Sequence, residues 1–320
     1  MTWMVWRQHR TEVVALAIFV SVIATALVVL GRPMHALFPA GSAHCLTPPL
    51  DLTCRFAQAR LTQDYGYSTI VLILLNFAPY AIGGFLGAPL LARELEAGTW
   101  QLAWTQAVPR RRWLAVKVMV LGTVSVLLVA GLSAVIGWYR QPLDLLGGFD
   151  ITGFDLTGIA PMAYTLFAFA LGVAAGAVLR RSLPAAAGAF VLFLAVRFTV
   201  AGWIRPHFRM PVTRIDAFVP GSGDLTDGTS NVRDMILSQG FIDAGGRHIT
   251  GLGAVILEGK AREQGGDPTV YLHDHGIQRW VVFQPIARYW PFQLIETVTF
   301  AGLAVLLLAL VFWRIRRTAF

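Results

Sequence analysis

Charge is scarce in this chain. Of its 320 residues 14% are charged and 56% hydrophobic, whereas a soluble globular domain carries roughly 25% charged residues. That shortage excludes an ordinary soluble fold and indicates a membrane protein, with length for one membrane domain and an external piece. Lysine is scarcer still: Lys117 and Lys260 stand against 24 arginines, a bias that fits a high-G+C bacterial coding sequence. The two cysteines, Cys45 and Cys54, are too few for a zinc site, which usually needs four ligands. A GxxxxGK[ST] loop is missing; "LEGKAREQGG" has the Gly-Lys pair without the earlier glycine or the Ser/Thr. HExxH, GxSxG and the kinase set are missing too, so nothing in the chain is equipped to hydrolyse ATP. The formal charge of +8 lies in short segments beside apolar runs, not in a basic helix, a basic tail or an RNA-binding aromatic motif. This argues against nucleic acid as a partner.

What the chain has is long apolar runs. Six are long enough to span a bilayer, which takes about 20 residues; they lie near 12–31, 67–92, 113–138, 158–179, 183–204 and 291–313. The fold class expected is therefore an all-α polytopic membrane protein. The first run, Val13 to Leu30, exceeds the roughly 7–15 apolar residues of a signal core and is read as a retained helix.

Charge orients the spans. With the N-terminus in the cytoplasm, the inner segments hold Arg7, Arg10, Arg93, Arg110, Arg111, Arg112, Lys117, Arg180, Arg181, Arg314, Arg316 and Arg317 against Glu12, Glu94 and Glu96, a net of +9. The outer loops 32–66 and 139–157 net +1 and −2, and the segment 205–290 nets zero. The positive-inside rule then places both termini in the cytoplasm. Cys45 and Cys54 fall in one external loop, where an oxidising compartment permits a disulfide; spacing alone leaves two unpaired thiols as the alternative.

The segment 205–290 is different material, with Gly-rich turns ("PGSGD", "DAGGRH", "EQGGDP") and short apolar runs such as "AVILEG" and "RWVVFQP". It reads as an external insertion of short helices and strands. His273 and His275, two apart, would share one face of a strand, without a further ligand to make a metal site. Within the spans few polar residues occur: Asn76, Arg197 and Glu296. Such residues are functional candidates by default, and depth counted at 1.5 Å per residue sets Arg197 and Glu296 level, as an expected ion pair. Gly83 and Gly87, and Gly172 and Gly176, have the spacing that lets helix backbones approach, within one bundle or between two copies.

One stretch breaks the apolar pattern: "LLARELEAGTWQLAWTQAVPRRRWLAVK", Leu90 to Lys117. Trp100 and Trp104 are four apart and share a helix face. Tryptophan favours the membrane interface, Gly98 and Thr99 offer a break, and Arg110, Arg111 and Arg112 hold the return to an anionic leaflet. Trp3, Trp6 and Arg7 read as the same kind of anchor. An ordinary positive-inside loop accounts for these residues. It does not account for Glu94 and Glu96, acids on an inner surface, which suit a protein partner better than lipid.

This stretch resembles the loop between the second and third helices of permeases in the ATP-binding-cassette type-2 exporter family, whose cytoplasmic hallmark is an R-E-x-x-x-G-T core. "QPIARYWPFQLIETVTFAGL" (Gln284 to Leu303) and "MVWRQHR" (Met4 to Arg10) resemble the entry to the last helix and the N-terminal stretch in a bacterial branch. The resemblance implies one half of a transmembrane pathway. Two permease subunits pair in a homodimer or heterodimer, and each docks one of two ATPase subunits, which bind ATP and Mg. Arg93, Glu94, Glu96, Gly98, Thr99, Trp100 and Trp104 would then form the coupling element, with the two acids meeting charges on the ATPase. The expected role is efflux of an amphipathic or hydrophobic compound (drug, antibiotic or lipid) across a bacterial plasma membrane, with membrane lipid as a further partner. A sensor or scaffold without transport, reading ligands through 205–290, and an intramembrane enzyme stay open.

Overall fold

The computed structural model describes residues 2–37, 45, 52–96, 110–145, 149, 152–218, 220, 233–249, 252–263 and 267–317. Six stretches in it are long and apolar enough to cross a membrane: Val5–Ala36, Tyr67–Glu94, Arg111–Asp144, Ala160–Leu179, Ser182–His207 and Ile286–Arg317. They lie on the six runs read above, with ends shifted by a few residues.

Helix α1 (Thr2–Ala36) is continuous, so the N-terminal residues begin the first span and form no separate surface helix. The second segment is α2 (Leu52–Tyr65), within what reads as a loop. Its sequence "LTCRFAQARLTQDY" has no glycine or proline and is rich in good helix formers. Cys54 on α2 is bonded to Cys45, with Cα atoms 5.4 Å apart. The second span is broken: α3 (Tyr67–Leu75) stops, and α4 (Ala78–Glu96) starts after Asn76 and Phe77. Asn76 directs its side-chain amide back to the Leu72 carbonyl at 3.1 Å, the local competition with the helix ladder that polar side chains offer. Then come α5 (Arg110–Arg140), α6 (Ala160–Leu179) and α7 (Ser182–Thr199); a π segment (Val200–Ile204) and a 3₁₀ turn (Arg205–His207) extend α7.

Between α7 and the last helix lies a sheet of four antiparallel strands, β1 (Val212–Ala217), β2 (Met235–Ile242), β3 (His248–Ile249) and β4 (Gln278–Gln284), in the order β1-β4-β2-β3. β2 carries a bulge between Ile236 and Ser238. Helices α8 (Leu252–Glu263) and α9 (Pro268–Asp274) precede β4, and Phe218, Phe241, Leu272 and Ile277 form a small core beneath them. His273 and His275 stand at the end of α9, not on a strand; their ring Nδ1 atoms bond the carbonyls of Phe218 at 3.0 Å and Tyr271 at 2.8 Å. Asp267 caps α9 and favours the helix, accepting from the Thr269 amide at 2.9 Å. The chain ends in α10 (Tyr289–Arg317).

The spans run alternately up and down, so both termini share one end. Val13 and Leu16 of α1 pack there with Leu90, Leu114, Ala177, Val311 and Ile315. Met34, Cys54, Leu75 and Tyr139 pack at the other end. Helix α6 is the most buried span, and α1, α7 and α10 show large apolar side chains outward, among them Phe19, Leu192 and Leu306. In the absence of a hydrophobic drive between helices in lipid, small residues set the contacts. Gly83 and Gly87 of α4 face the carbonyls of Thr165 and Phe169, and Gly172 and Gly176 of α6 face the backbone of Ala88. A Cβ on Gly172 or Gly176 would meet that backbone at 2.6 or 2.7 Å. The two glycine pairs thus close on each other as one seam within the chain.

Candidate functional site

The end of the bundle away from the termini holds a buried polar cluster. Its floor is the turn at 152–159 before α6. Gly158 has φ +77°, and a Cβ there would meet the Gln293 side chain at 2.8 Å, so the position needs glycine. Gln293 on α10 accepts from the amides of Ile159 (3.1 Å) and Ala160 (2.8 Å) and donates to the carbonyls of Phe154 (2.8 Å) and Thr157 (3.1 Å). One fully buried side chain therefore satisfies four backbone groups at the start of α6, where amides lack helical partners. Phe149, Phe154 and Phe292 wall the turn.

This turn carries Asp155 into the interior, 1% exposed. Arg205 pairs with it and also with Glu296, Nε donating at 2.9 Å and Nη2 at 3.1 Å. Arg197 lies 3.2 Å from Asp155, donates to Asn76 at 3.3 Å and stacks 3.8 Å over the Tyr164 ring. The Tyr164 hydroxyl donates to Glu296. Two arginines and two carboxylates thus balance, as burial in low dielectric demands.

The expected pair of Arg197 with Glu296 is corrected here. Glu296 takes Arg205, and Arg197 takes Asp155. The cause is the length and shape of the fifth span. It runs past 204 through the π segment, and eight residues of regular helix would leave Arg205 roughly 80° round from Arg197. The wider π turn accommodates an extra residue and brings both guanidinium groups to Asp155. Read from sequence, Asp155 is a loop acid and Arg205 the first residue of an insertion. The available signals were their closeness to the ends of the fourth and fifth spans.

Beside the cluster a small, partly open cleft with about 70 Å³ of internal space separates α3 from α7, lined by Ile73, Phe77, Phe193, Leu194, Phe198 and Ala201 with Asn76, Asp155 and Arg197. Two interruptions of helix, at Asn76 and at the π segment, flank it.

At the other end, Arg93 and Glu94 at the foot of α4 are tied to neighbouring helices. Arg93 pairs with Glu12, which His9 also meets at 2.9 Å. Glu94 takes Lys117 of α5 and the Gln8 amide at 3.1 Å. Lys117 is 1% exposed and lies 4.3 Å from the Trp113 ring centre. Glu96 accepts from the Ser182 amide at 3.3 Å and its hydroxyl at 2.8 Å, at the start of α7 where the helix dipole favours an anion. Both acids thus have partners on this chain's own helices, Glu94 partly buried and Glu96 exposed. Gly98, Thr99, Trp100 and Trp104 lie outside the described residues. Arg110 begins α5, Arg111 and Arg112 are exposed, and so are Trp3 and Trp6, with Arg7 over the Trp3 ring at 5.4 Å.

Six apolar helices around such polar ends define a multi-pass membrane protein. Residues 17–205 match the family described as ABC-2 membrane transporter related, over more than half the chain, and the protein belongs to that family. It is thus an ABC-2-type permease, a class of membrane subunit without a catalytic site of its own that generally works with an ATPase subunit. No curated protein and no solved structure matches the chain. The match spans Asn76, Asp155, Arg197 and Arg205 and stops before the sheet and Glu296.

Proposed function

We propose that this permease is the transmembrane subunit of an ATP-driven exporter that moves an amphipathic or hydrophobic compound out of a bacterial cell. Two copies, or this chain and a related one, pair with two ATPase subunits that hold ATP and Mg. The termini and the 97–109 connection face the cytoplasm, and the sheet between α7 and α10 lies outside. Charge supports this orientation, since exposed Arg7, Arg10, Arg111, Arg112, Arg316 and Arg317 all gather at the terminal end.

The observation that carries the reading is the glycine seam. An ATPase that engages 97–109 acts on the foot of α4, where Arg93 and Glu94 are clamped to α1 and α5. With backbone close to backbone at Gly83, Gly87, Gly172 and Gly176, and with Leu86 and Leu90 packed on Phe169 and Val173, α4 and α6 are held tightly enough to move as a unit. A push at the foot is therefore delivered to the Asn76 break and the Asp155 turn, at the opposite end of the same two helices. Alternating access follows if that end opens and closes with the ATPase cycle.

The test is reconstitution with a co-expressed ATPase in vesicles and a panel of amphipathic dyes. ATP-dependent extrusion, lost with a hydrolysis-deficient ATPase, is the expected result. Dye-stimulated hydrolysis without dye movement would instead support the sensor reading, which the folded sheet at the far end favours. For topology, an impermeant thiol reagent on intact cells should label Gly245→Cys and spare Trp3→Cys; the reverse pattern would invert the orientation.

A further inference from the structure

We infer that the cleft between α3 and α7 is a binding site for a neutral amphipath, one whose polar end carries a hydroxyl or an amide. Two buried polar atoms there have hydrogen-bonding capacity that the cluster does not use, although one of them is ion-paired. Arg197 Nη1 donates to no described residue, and Asp155 Oδ2, 3.2 Å from Arg197 Nη2, receives no hydrogen bond. Both residues line the cleft and are more than nine-tenths buried. A buried donor on a charged group without an acceptor is costly, more so than a neutral one, and in a bilayer water does not meet the need. An acceptor and a donor brought together from outside the chain satisfy both atoms at once.

The chemistry of that visitor follows from the charges. Arg197 and Arg205 already balance Asp155 and Glu296. A carboxylate or phosphate would add an uncompensated anion beside Asp155, and an ammonium an uncompensated cation beside Arg197, both expensive in low dielectric. A hydroxyl or carboxamide both donates and accepts and changes no charge. The rest of the ligand must be apolar: Ile73, Phe77 and Phe198 form the exposed mouth, and Phe193, Leu194 and Ala201 the inner wall. A mouth of exposed aromatic and aliphatic side chains on spanning helices opens towards lipid, so entry is from the bilayer. Two sources share this chemistry, a neutral lipid of the bilayer such as diacylglycerol and a transported neutral amphipath.

The experiment uses the full chain in nanodiscs and needs neither ATP nor a partner, so it can fail while the transport reading stands, and the reverse. Three diazirine probes of equal chain length are compared: hexadecanol, hexadecanoic acid and hexadecylammonium. Hexadecanol should label peptides of α3 and α7 around Ile73 to Phe77 and Phe193 to Ala201, and the two charged probes should label them about tenfold less, the equivalent of ~1.4 kcal/mol. Arg197→Met should lower hexadecanol labelling by about tenfold, one hydrogen bond to a charged donor. Should that variant not fold, Ala201→Trp fills the cleft while leaving the charges in place, and it should abolish the labelling. Equal labelling by all three probes, preference for a charged one, or labelling that survives Ala201→Trp overturns the site. The source is then read by native mass spectrometry: a retained diacylglycerol identifies the bilayer, and its absence with full probe labelling identifies a transported compound.

Discussion

The two ends of this bundle solve the same problem differently. At the terminal end, charges meet in separate ties between neighbouring helices, Arg93 with Glu12 and Lys117 with Glu94. The Arg93 side chain is 63% exposed, so that tie tolerates water. At the far end, Asp155, Arg197, Arg205 and Glu296 form one balanced group, all under 8% exposed. That group depends on an irregular turn, a π segment and a glutamine that pins the turn. Straight helices suffice for separate pairs, even for Lys117, which is itself 1% exposed; a multi-centre charge cluster needs backbone that departs from the helix, and the departures are tolerated because protein surrounds them.

The comparison breaks first at Arg205. Arg205→Met leaves Glu296 without a counter-charge and Asp155 with Arg197 alone, and should cost about 3–5 kcal/mol, the range for removing one partner of a buried pair. Thermal unfolding in detergent measures it, and adding Glu296→Gln should recover part of the loss. An undiminished melting temperature for Arg205→Met would show that the cluster is hydrated and no different in kind from the terminal ties. Next is the seam between the two ends. Gly87→Leu drives a side chain into the Phe169 backbone and should cost about 1–3 kcal/mol, as overpacking does. It should also uncouple hydrolysis from transport more than its stability loss explains. At the terminal end the effects should be smaller and graded by exposure. Lys117→Met should cost less than Arg205→Met, because Glu94 keeps Gln8, and Arg93→Ala about 0–1 kcal/mol. A larger loss for Arg93→Ala than for Lys117→Met would reverse the ordering that burial predicts. The smallest effect lies in the sheet. Asp243 accepts from the amides of Gly245 and Arg247 at 2.9 Å, and its carboxyl is held below the ordinary value of 3.8, first by the Arg247 backbone bond. A lowered folded value means that the contribution is present above 3.8 and lost as pH falls through the lower one. Amide exchange in the hairpin of β2 and β3 should accelerate slightly over that acidic range, and Asp243→Asn should flatten the change.

All six spans were legible because an apolar run of span length has few other uses in a protein. Arg197, Asn76 and Glu296 stood out for the same reason, as polar exceptions in apolar text. Their partners were not legible. Asp155 sits among turn residues, where an acid is unremarkable, and the register that carries Arg205 to it depends on one π segment that no periodicity announces. The glycine pairs were visible as a spacing, but spacing does not say what faces it; only the fold turns α4 and α6 together. Glu94 and Glu96 stand out in the sequence by their sign, and the structure adds that Lys117, Gln8 and Ser182 engage them.

Gln293 bears on how the chain can be divided. It lies on α10, beyond residue 205 where the family match stops, yet it holds the turn that opens α6, well inside the match. Glu296, one helical turn further along, completes the charge balance of Arg205, the last matched residue. The matched part of the chain is thus finished by the part beyond the match. A fragment cut at the family boundary would keep five spans and lose the groups that satisfy its own interior. Any chimaera that exchanges the sheet between relatives should therefore carry α10 across as an inseparable companion of α6.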